Sequence, residues 1–356
     1  MMKLELKNTI SRGWPPSLSA RRSTTDIAIT VRADDVYREV ANIQHPHQLF
    51  DKAKNWITVV QETDMADGKN EILTKEIHEA MIRAIFGSNQ IERAGLDLDL
   101  TVHLCRKVFA GEFIGELSER DPDYQAQLLE LYQKQPSLKG CTSTHVLRSR
   151  NEVVQHARAF QHILHAFVVQ NQDLTEELIK ETHRILVTGV PIVEHGGSVV
   201  QPDEYGGVYR TIVVGAGNTN FVVPRFVPSK MKEMCDNLKQ ELAAAHESKT
   251  IDPFSVASKY SMEFVQIHPF RDGNGRMCRL ILNSILCRYA GVIIPIGEQG
   301  TDREDYIKIK QQASEEMGDH GKYATFVLEK ATRRLRELKK KLAGKKGISE
   351  ASGQSA

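Results

Sequence analysis

Apolar positions recur at helical spacing along most of the chain. Val256, Tyr260, Phe264 and Ile267 form one stripe, and Asp252-Pro253 ahead of them suits a helix start, so a helix is expected over 254–267. A second should run from about Arg276 to Tyr289, closed by Gly291, with Leu280 to Leu286 apolar enough to be buried on all sides. Leu73, Ile77, Ala80, Met81 and Ala84 mark another amphipathic helix. Leu174, Leu178, Thr182 and Ile185 mark a further one, with Thr175 as its cap and two acidic residues in its first turn. Residues 34–42 and 49–60 also read as helices. Two β-rich runs, Gly207–Val214 and Phe221–Pro224, flank the turn residues 215–220 and predict a hairpin. Trp14-Pro15-Pro16 and the Ser/Arg-rich residues 17–25 read as an extended arm. The expected fold is mostly α, a bundle of about eight to twelve helices with one short β-hairpin.

Composition narrows this only a little. A chain of 356 residues buries a sizeable core, and one main domain with an N-terminal extension fits better than two equal halves. The boundaries expected are an extension over 1–70, a helical segment over 71–100, the main domain over 101–330, and a basic helix with a disordered tail over 331–356. Lys+Arg of 47 against Asp+Glu of 46 leaves a net charge of +1, which calls for neither a nucleic-acid partner nor a membrane surface. The basic cluster from Lys330 to Lys346 alternates with Leu335, Leu338 and Leu342, as in a solvated terminal helix. Five cysteines without a CxxC pair argue against a disulfide framework or a zinc site. With no run of about twenty apolar residues and no hydrophobic leader core, a cytoplasmic or nuclear location is expected. No internal repeat is present.

The chemistry concentrates between the two core helices, in His268-Pro-Phe-Arg-Asp-Gly-Asn-Gly-Arg276-Met-Cys-Arg279. Gly273 and Gly275 let successive backbone N–H groups converge, and the following helix start favours negative charge. Arg276 and Arg279, three apart, share a helix face and carry forked donors suited to phosphate. Asp272 beside a phosphate is repulsive unless a divalent cation lies between them, and magnesium is held by few carboxylates plus substrate phosphates. His268 is suited to accept a proton near neutral pH. An EF-hand fails in either register, because Phe270 falls where oxygen ligands belong. The Gly-Lys-Ser/Thr of a Walker loop is absent.

The run from His268 to Arg279 resembles the Fic-family motif HxFx(D/E)GNGRxxR at every defined position. The resemblance extends to the helices from Asn151 to Leu186 and to the 207–224 hairpin, which in that family is a flap over the active site, whose edge pairs with a target segment. It implies a Fic-type helical bundle that transfers AMP from ATP to a Ser, Thr or Tyr hydroxyl of a target protein. His268 would be the general base and Asp272 the Mg2+ ligand. Gly273, Asn274, Gly275 and Arg276 would form the phosphate-binding turn, and Arg279 the γ-phosphate clamp. Tyr306 resembles an adenine-side position, although Ile307 breaks the usual Tyr pair. Ile212, Val213, Val214 and Gly215 would be the target-binding edge. Upstream, Ser88 and Glu92 resemble the inhibitory motif (S/T)xxxE(G/N), whose glutamate pairs with the second motif arginine; here Arg93 stands where Gly or Asn is usual. The alternatives are AMP removal by the same site and a non-catalytic adaptor that binds ATP. The partners expected are ATP and a target protein, with a homodimer possible, and neither nucleic acid nor membrane.

Overall fold

A computed structural model of the protein describes residues 2–18, 29–66, 68–112, 114–115, 124–193, 197–215, 221–315 and 319–343. Among them the chain is mostly helical. The helices in order are α1 (Met2–Ser11), α2 (Pro46–Glu62), α3 (Lys69–Ile91), α4 (Leu98–Ala110), α5 (Tyr124–Lys134), α6 (Ser143–Leu164) and α7 (Glu176–Val187), followed by the single turn α8 (Pro202–Tyr205). Then come α9 (Val227–Ser248), α10 (Pro253–Ile267), α11 (Asn274–Tyr289), α12 (Gly300–Glu315) and α13 (Gly321–Ala343). The strands are two-residue pieces: β1 (Thr30–Val31) pairs in parallel with β4 (Thr250–Ile251), and β2 (Ile192–Val193) pairs antiparallel with β3 (Val199–Val200). None of the described helices is long and apolar enough to cross a membrane.

The bundle is organised around α11. Every one of its residues except Gly275 is buried, because α10 packs along one side while α3 and α6 close others. Its predecessor α10 starts as its sequence dictates: the Asp252 carboxylate accepts from the N–H groups of Phe254 and Ser255, and Pro253 occupies the first turn where its missing donor costs nothing. Helix α7 is likewise capped by Thr175, whose hydroxyl accepts from Leu178 N. Gly87 lets α3 approach the 296–298 backbone, since a side-chain carbon there would meet Ile296 O.

Four expectations change. Residues 34–42 do not form a helix, because Asp34 N and the Tyr37 hydroxyl both donate to Asp252, which pins the segment across the start of α10. The described part of the N-terminal arm, through Leu18, is not extended: α1 precedes it, and Trp14 is fully buried with its indole N–H on Gly291 O at 2.8 Å, while residues 19–25 lie outside the described residues. The 208–214 and 221–223 arms carry no strand ladder. The Arg210 guanidinium in the first arm binds Ile212 O, Val222 O of the second arm and His268 O at the end of α10, so one side chain joins the arms to each other and to the bundle in place of backbone pairing. The basic helix expected from residue 331 is the second half of α13, which keeps Arg333 and Lys341 exposed but buries Leu335, Leu338 and Leu342 with α2 as its main neighbour, so it is less solvated than expected. The predicted tail, with Lys345 and Lys346, lies outside the described residues, as does the turn at 216–220.

Candidate active site

The loop between α10 and α11 is fixed by its own polar atoms. Asn274 Oδ1 accepts from Phe270 N at 2.9 Å while its Nδ2 donates to Phe270 O at 2.8 Å, so one side chain closes the five-residue turn. Both ends of that amide are engaged and the residue is 2% exposed, so the Asn274 side chain shapes the turn. Gly273 takes a left-handed φ of 79°, and its N–H donates to Asp272 Oδ1 at 2.7 Å. Beneath it, the His183 ring stacks on Phe270 with centroids 3.6 Å apart. His183 Nδ1 accepts from Gly207 N, which leaves Nε2 to donate to Asp272 O at 2.9 Å. Only the neutral ring serves both partners, and burial holds its pKa down to about 4.

An anion hollow lies at the start of α11. Gly273 contributes no side-chain cap, leaving the first helical turn to other partners. Arg276 is 3% exposed, yet its Nε and Nη1 find no hydrogen-bond partner among the described residues. Two unanswered donors on a buried cation are costly unless an anion completes them. Arg279 is differently placed. Its Nε donates to Ser88 Oγ at 2.7 Å and its Nη2 to Glu92 Oε1 at 2.6 Å and Ser88 O at 3.2 Å. The Glu92 carboxylate rests over Gly275, where only the absence of a side chain leaves room. Burial would raise the Glu92 pKa, but the Arg279 charge and hydrogen bond, with Arg276 behind them, outweigh it and leave it lowered. Glu92 keeps 37% exposure against 5% for Arg279, so water screens the pair in part.

His268 ends α10 in a left-handed conformation, φ 51°, which turns its ring out of the helix line. Its Nδ1 donates to Val265 O at 3.1 Å, leaving Nε2 as the acceptor. Phe221 stacks on the ring with centroids 3.7 Å apart, and Arg210 holds the His268 carbonyl at 2.6 Å. Burial, then the nearby Arg210 and Lys310 charges, lower its pKa to about 4, so the ring is neutral with one free lone pair at pH 7.

Asp272 is 38% exposed, with Oδ2 3.4 Å from Arg276 Nη2. Among the described residues no cluster of three or more His, Cys, Asp or Glu forms a metal cage. A cation here would depend on one carboxylate and on ligand oxygens, a donor set that suits magnesium and not zinc or calcium. Tyr306 does not present a stacking face: it is 3% exposed, packed against Tyr323 and Phe326, with Arg279 5.8 Å above its ring. Of the predicted edge, Ile212 and Val213 are 43% and 82% exposed, and Gly215 has nothing within 4 Å of where a side chain would begin.

Sequence reasoning named His268, Asp272, Gly275, Arg276, Arg279, Ser88 and Glu92, which lie together in space. It missed His183, Arg210 and Phe221, and Arg303, whose guanidinium caps α3 by donating to Ile91 O. His183 carried a faint signal, an aromatic polar residue on an otherwise apolar helix face. Arg210 carried none, because its partners are all backbone oxygens.

The model of the Fic/DOC family matches residues 173–286. A fido domain-containing protein of Dictyostelium discoideum is 36% identical over 102 residues, covering 29% of this chain and 67% of that protein. Protein adenylyltransferase fic-1 of Caenorhabditis elegans is 31% identical over 153 residues, and protein adenylyltransferase Fic of Drosophila melanogaster 32% over 179. These matches cover 42% and 50% of this chain but only 27% and 32% of the relatives. Among solved structures, a Fic domain-containing signalling protein of Bacteroides thetaiotaomicron superposes with TM-score 0.57 at 21% identity, covering 84% of this chain and 98% of that one. Fic-1 of C. elegans does so with TM-score 0.57 at 19% identity, covering 85% and 73%. The helical architecture, the loop between α10 and α11 and these relatives agree: the chain belongs to the Fic family.

Proposed function

We propose that the protein transfers AMP from ATP to a hydroxyl of a target protein, and that Glu92 holds this activity in check. The observation that carries the reading is the anion hollow at the start of α11: a buried Arg276 with two unanswered donors, occupied on its Arg279 side by the chain's own carboxylate, next to a neutral His268. Positioned donors around developing phosphate charge supply most of the acceleration in such transfers. The relatives named protein adenylyltransferase support the same class of reaction.

In the reaction proposed, the hydroxyl oxygen of the target bonds to the α-phosphorus, the bond from that phosphorus to the β-bridging oxygen breaks, and pyrophosphate departs. The hydroxyl proton goes to His268 Nε2, the ring atom left without a donor role. Arg276 and the first amides of α11 bind phosphate oxygens, and Asp272 would hold magnesium, which neutralises phosphate charge when bound. The exposed 212–215 arm carries no strand ladder and offers backbone groups beyond the Ile212 carbonyl to an extended target segment. With Glu92 on Arg279 the γ-phosphate has no clamp, so productive binding requires the glutamate to leave.

The test uses α-labelled and γ-labelled ATP with magnesium, on the wild type and on Glu92→Gly. Retention of α-label alone, stronger in the variant, supports the reading. Retained γ-label indicates phosphotransfer, and no label in either protein indicates an ATP-binding adaptor.

A further inference from the structure

We infer that Glu152 and His156 of α6 are positioning residues that seat Glu92 on Arg279 by gripping the turn that follows α3. The inference rests on the reading of Glu92 as a brake. Past Glu92 the chain reverses through two left-handed residues, Arg93 at φ 54° and Gly95 at φ 75°. A non-glycine left-handed residue adds strain to a reversal that has two backbone bonds of its own, Arg93 N to Gln90 O and Ala94 N to Asn89 O, so outside contacts help to fix it.

The contacts come from one face of α6. Glu152 and His156 are four apart, hence adjacent on that helix, and are 4% and 2% exposed. Glu152 Oε2 accepts from Gly95 N at 2.8 Å, while its other oxygen accepts from Arg148 Nε, whose own Nη1 is tied to Pro191 O. His156 Nδ1 lies 3.0 Å from Oδ1 of Asn89, itself 1% exposed. Burial, with the Arg276 and Arg279 charges nearby, keeps His156 neutral, so Nδ1–H is the donor. Asn89 completes the circuit, its carbonyl accepting from Ala94 N at 2.9 Å. Gly95 must lack a side chain, because a Cβ would stand 2.8 Å from Asn89 Nδ2.

Asn89 immediately follows Ser88 and precedes Glu92 by three residues. The grip therefore spans both residues that engage Arg279, and it reaches them from a helix that carries none of the motif. Loosening it should free the glutamate without touching the loop from His268 to Arg279.

The experiment compares Gly95→Ala, Asn89→Leu and Glu152→Gln, each alone and combined with Glu92→Gly, by the rate of α-label incorporation and by thermal melting. Losing one buried hydrogen bond should raise labelling about three- to tenfold in the single variants. Combination with Glu92→Gly should add nothing further. A merely structural role would lower the melting temperature and lower labelling with it. Folded single variants that label at or below the wild-type rate, while Glu92→Gly labels faster, would overturn the inference and leave the brake standing. Glu152→Gln preserves shape and so guards against misfolding of the other two. If Glu92→Gly labels no faster than wild type, the brake itself fails and the grip has nothing to position.

Discussion

Two turns meet at this site, and they are built on opposite plans. The catalytic turn from His268 to Arg276 is closed largely from within, since Asn274 bonds Phe270 at both ends of its amide, Gly273 bonds Asp272 and His268 bonds Val265, while Arg210 and His183 brace the His268 and Asp272 carbonyls. The turn from Ser88 to Gly95 has two short backbone bonds of its own, but its side chains and the Gly95 amide are held from outside, by Arg279, Glu152, His156 and Arg303, which lie far away in sequence. A turn that supplies its own bonds keeps its shape when neighbours move. One that borrows them can be let go, and the borrowed turn is the one that carries the proposed brake.

Breaking the self-contained turn chemically should give the largest effect. His268→Ala removes the acceptor nitrogen and the bond to Val265 but leaves the Asn274 and Gly273 bonds that shape the loop, so labelling in the Glu92→Gly background should fall by roughly 10²- to 10⁴-fold. Nucleotide binding by calorimetry should stay within a few-fold. Unchanged labelling would remove His268 from the role of base.

Releasing the borrowed turn comes next. Glu92→Gly leaves Arg279 its two bonds to Ser88, so the fold should hold while labelling rises about 10- to 100-fold, the range for a competent population of a tenth to a hundredth. A rise in incorporation with a melting temperature close to wild type is the expected pair of results.

This contrast also explains what the sequence could and could not disclose. The helices α7, α10 and α11 were legible because periodicity and caps are local signals, as were the glycine turn and the Ser88–Glu92 spacing. The burial of Trp14, the pinning of residues 34–42 on Asp252 and the gathering of the 207–224 arms by Arg210 were not. Each depends on a bond spanning some 60 to more than 270 positions, between groups whose types carry no pattern of their own. The same holds for the aromatic faces. Phe221 and Phe270 are alike in sequence, but one is stacked on His268 and the other beneath the loop on His183.

The pH dependence sharpens the description of the catalytic turn. The base role proposed for His268 needs the neutral ring, and burial puts its pKa near 4, well below the ordinary histidine value of about 6.5. The required form is present above the folded-state pKa and is lost as pH falls through it. Consequently kcat/KM of the Glu92→Gly protein, which reports the free enzyme, should change less than about twofold from pH 8 to 5.5. A base with an ordinary pKa would already have lost about tenfold at pH 5.5. A fall centred near 6.5 would mean that the ring is open to water in solution.

The smallest expected effect tests how far the borrowed turn is strained. Arg93 sits at φ 54°, where the usual family pattern has Gly or Asn, and a side chain there carries a penalty of about 1 kcal/mol that glycine avoids. Arg93→Gly should therefore favour the seated position of Glu92, partly offset by the greater freedom glycine gives the released turn. Labelling by the otherwise wild-type chain should fall about two- to fivefold. In the Glu92→Gly background, with no carboxylate to seat, the same substitution should leave labelling unchanged. A fall of equal size in both backgrounds would mean that Arg93 acts on ATP or the target directly. A rise in the wild-type background would mean that its side chain holds the turn in place instead of straining it.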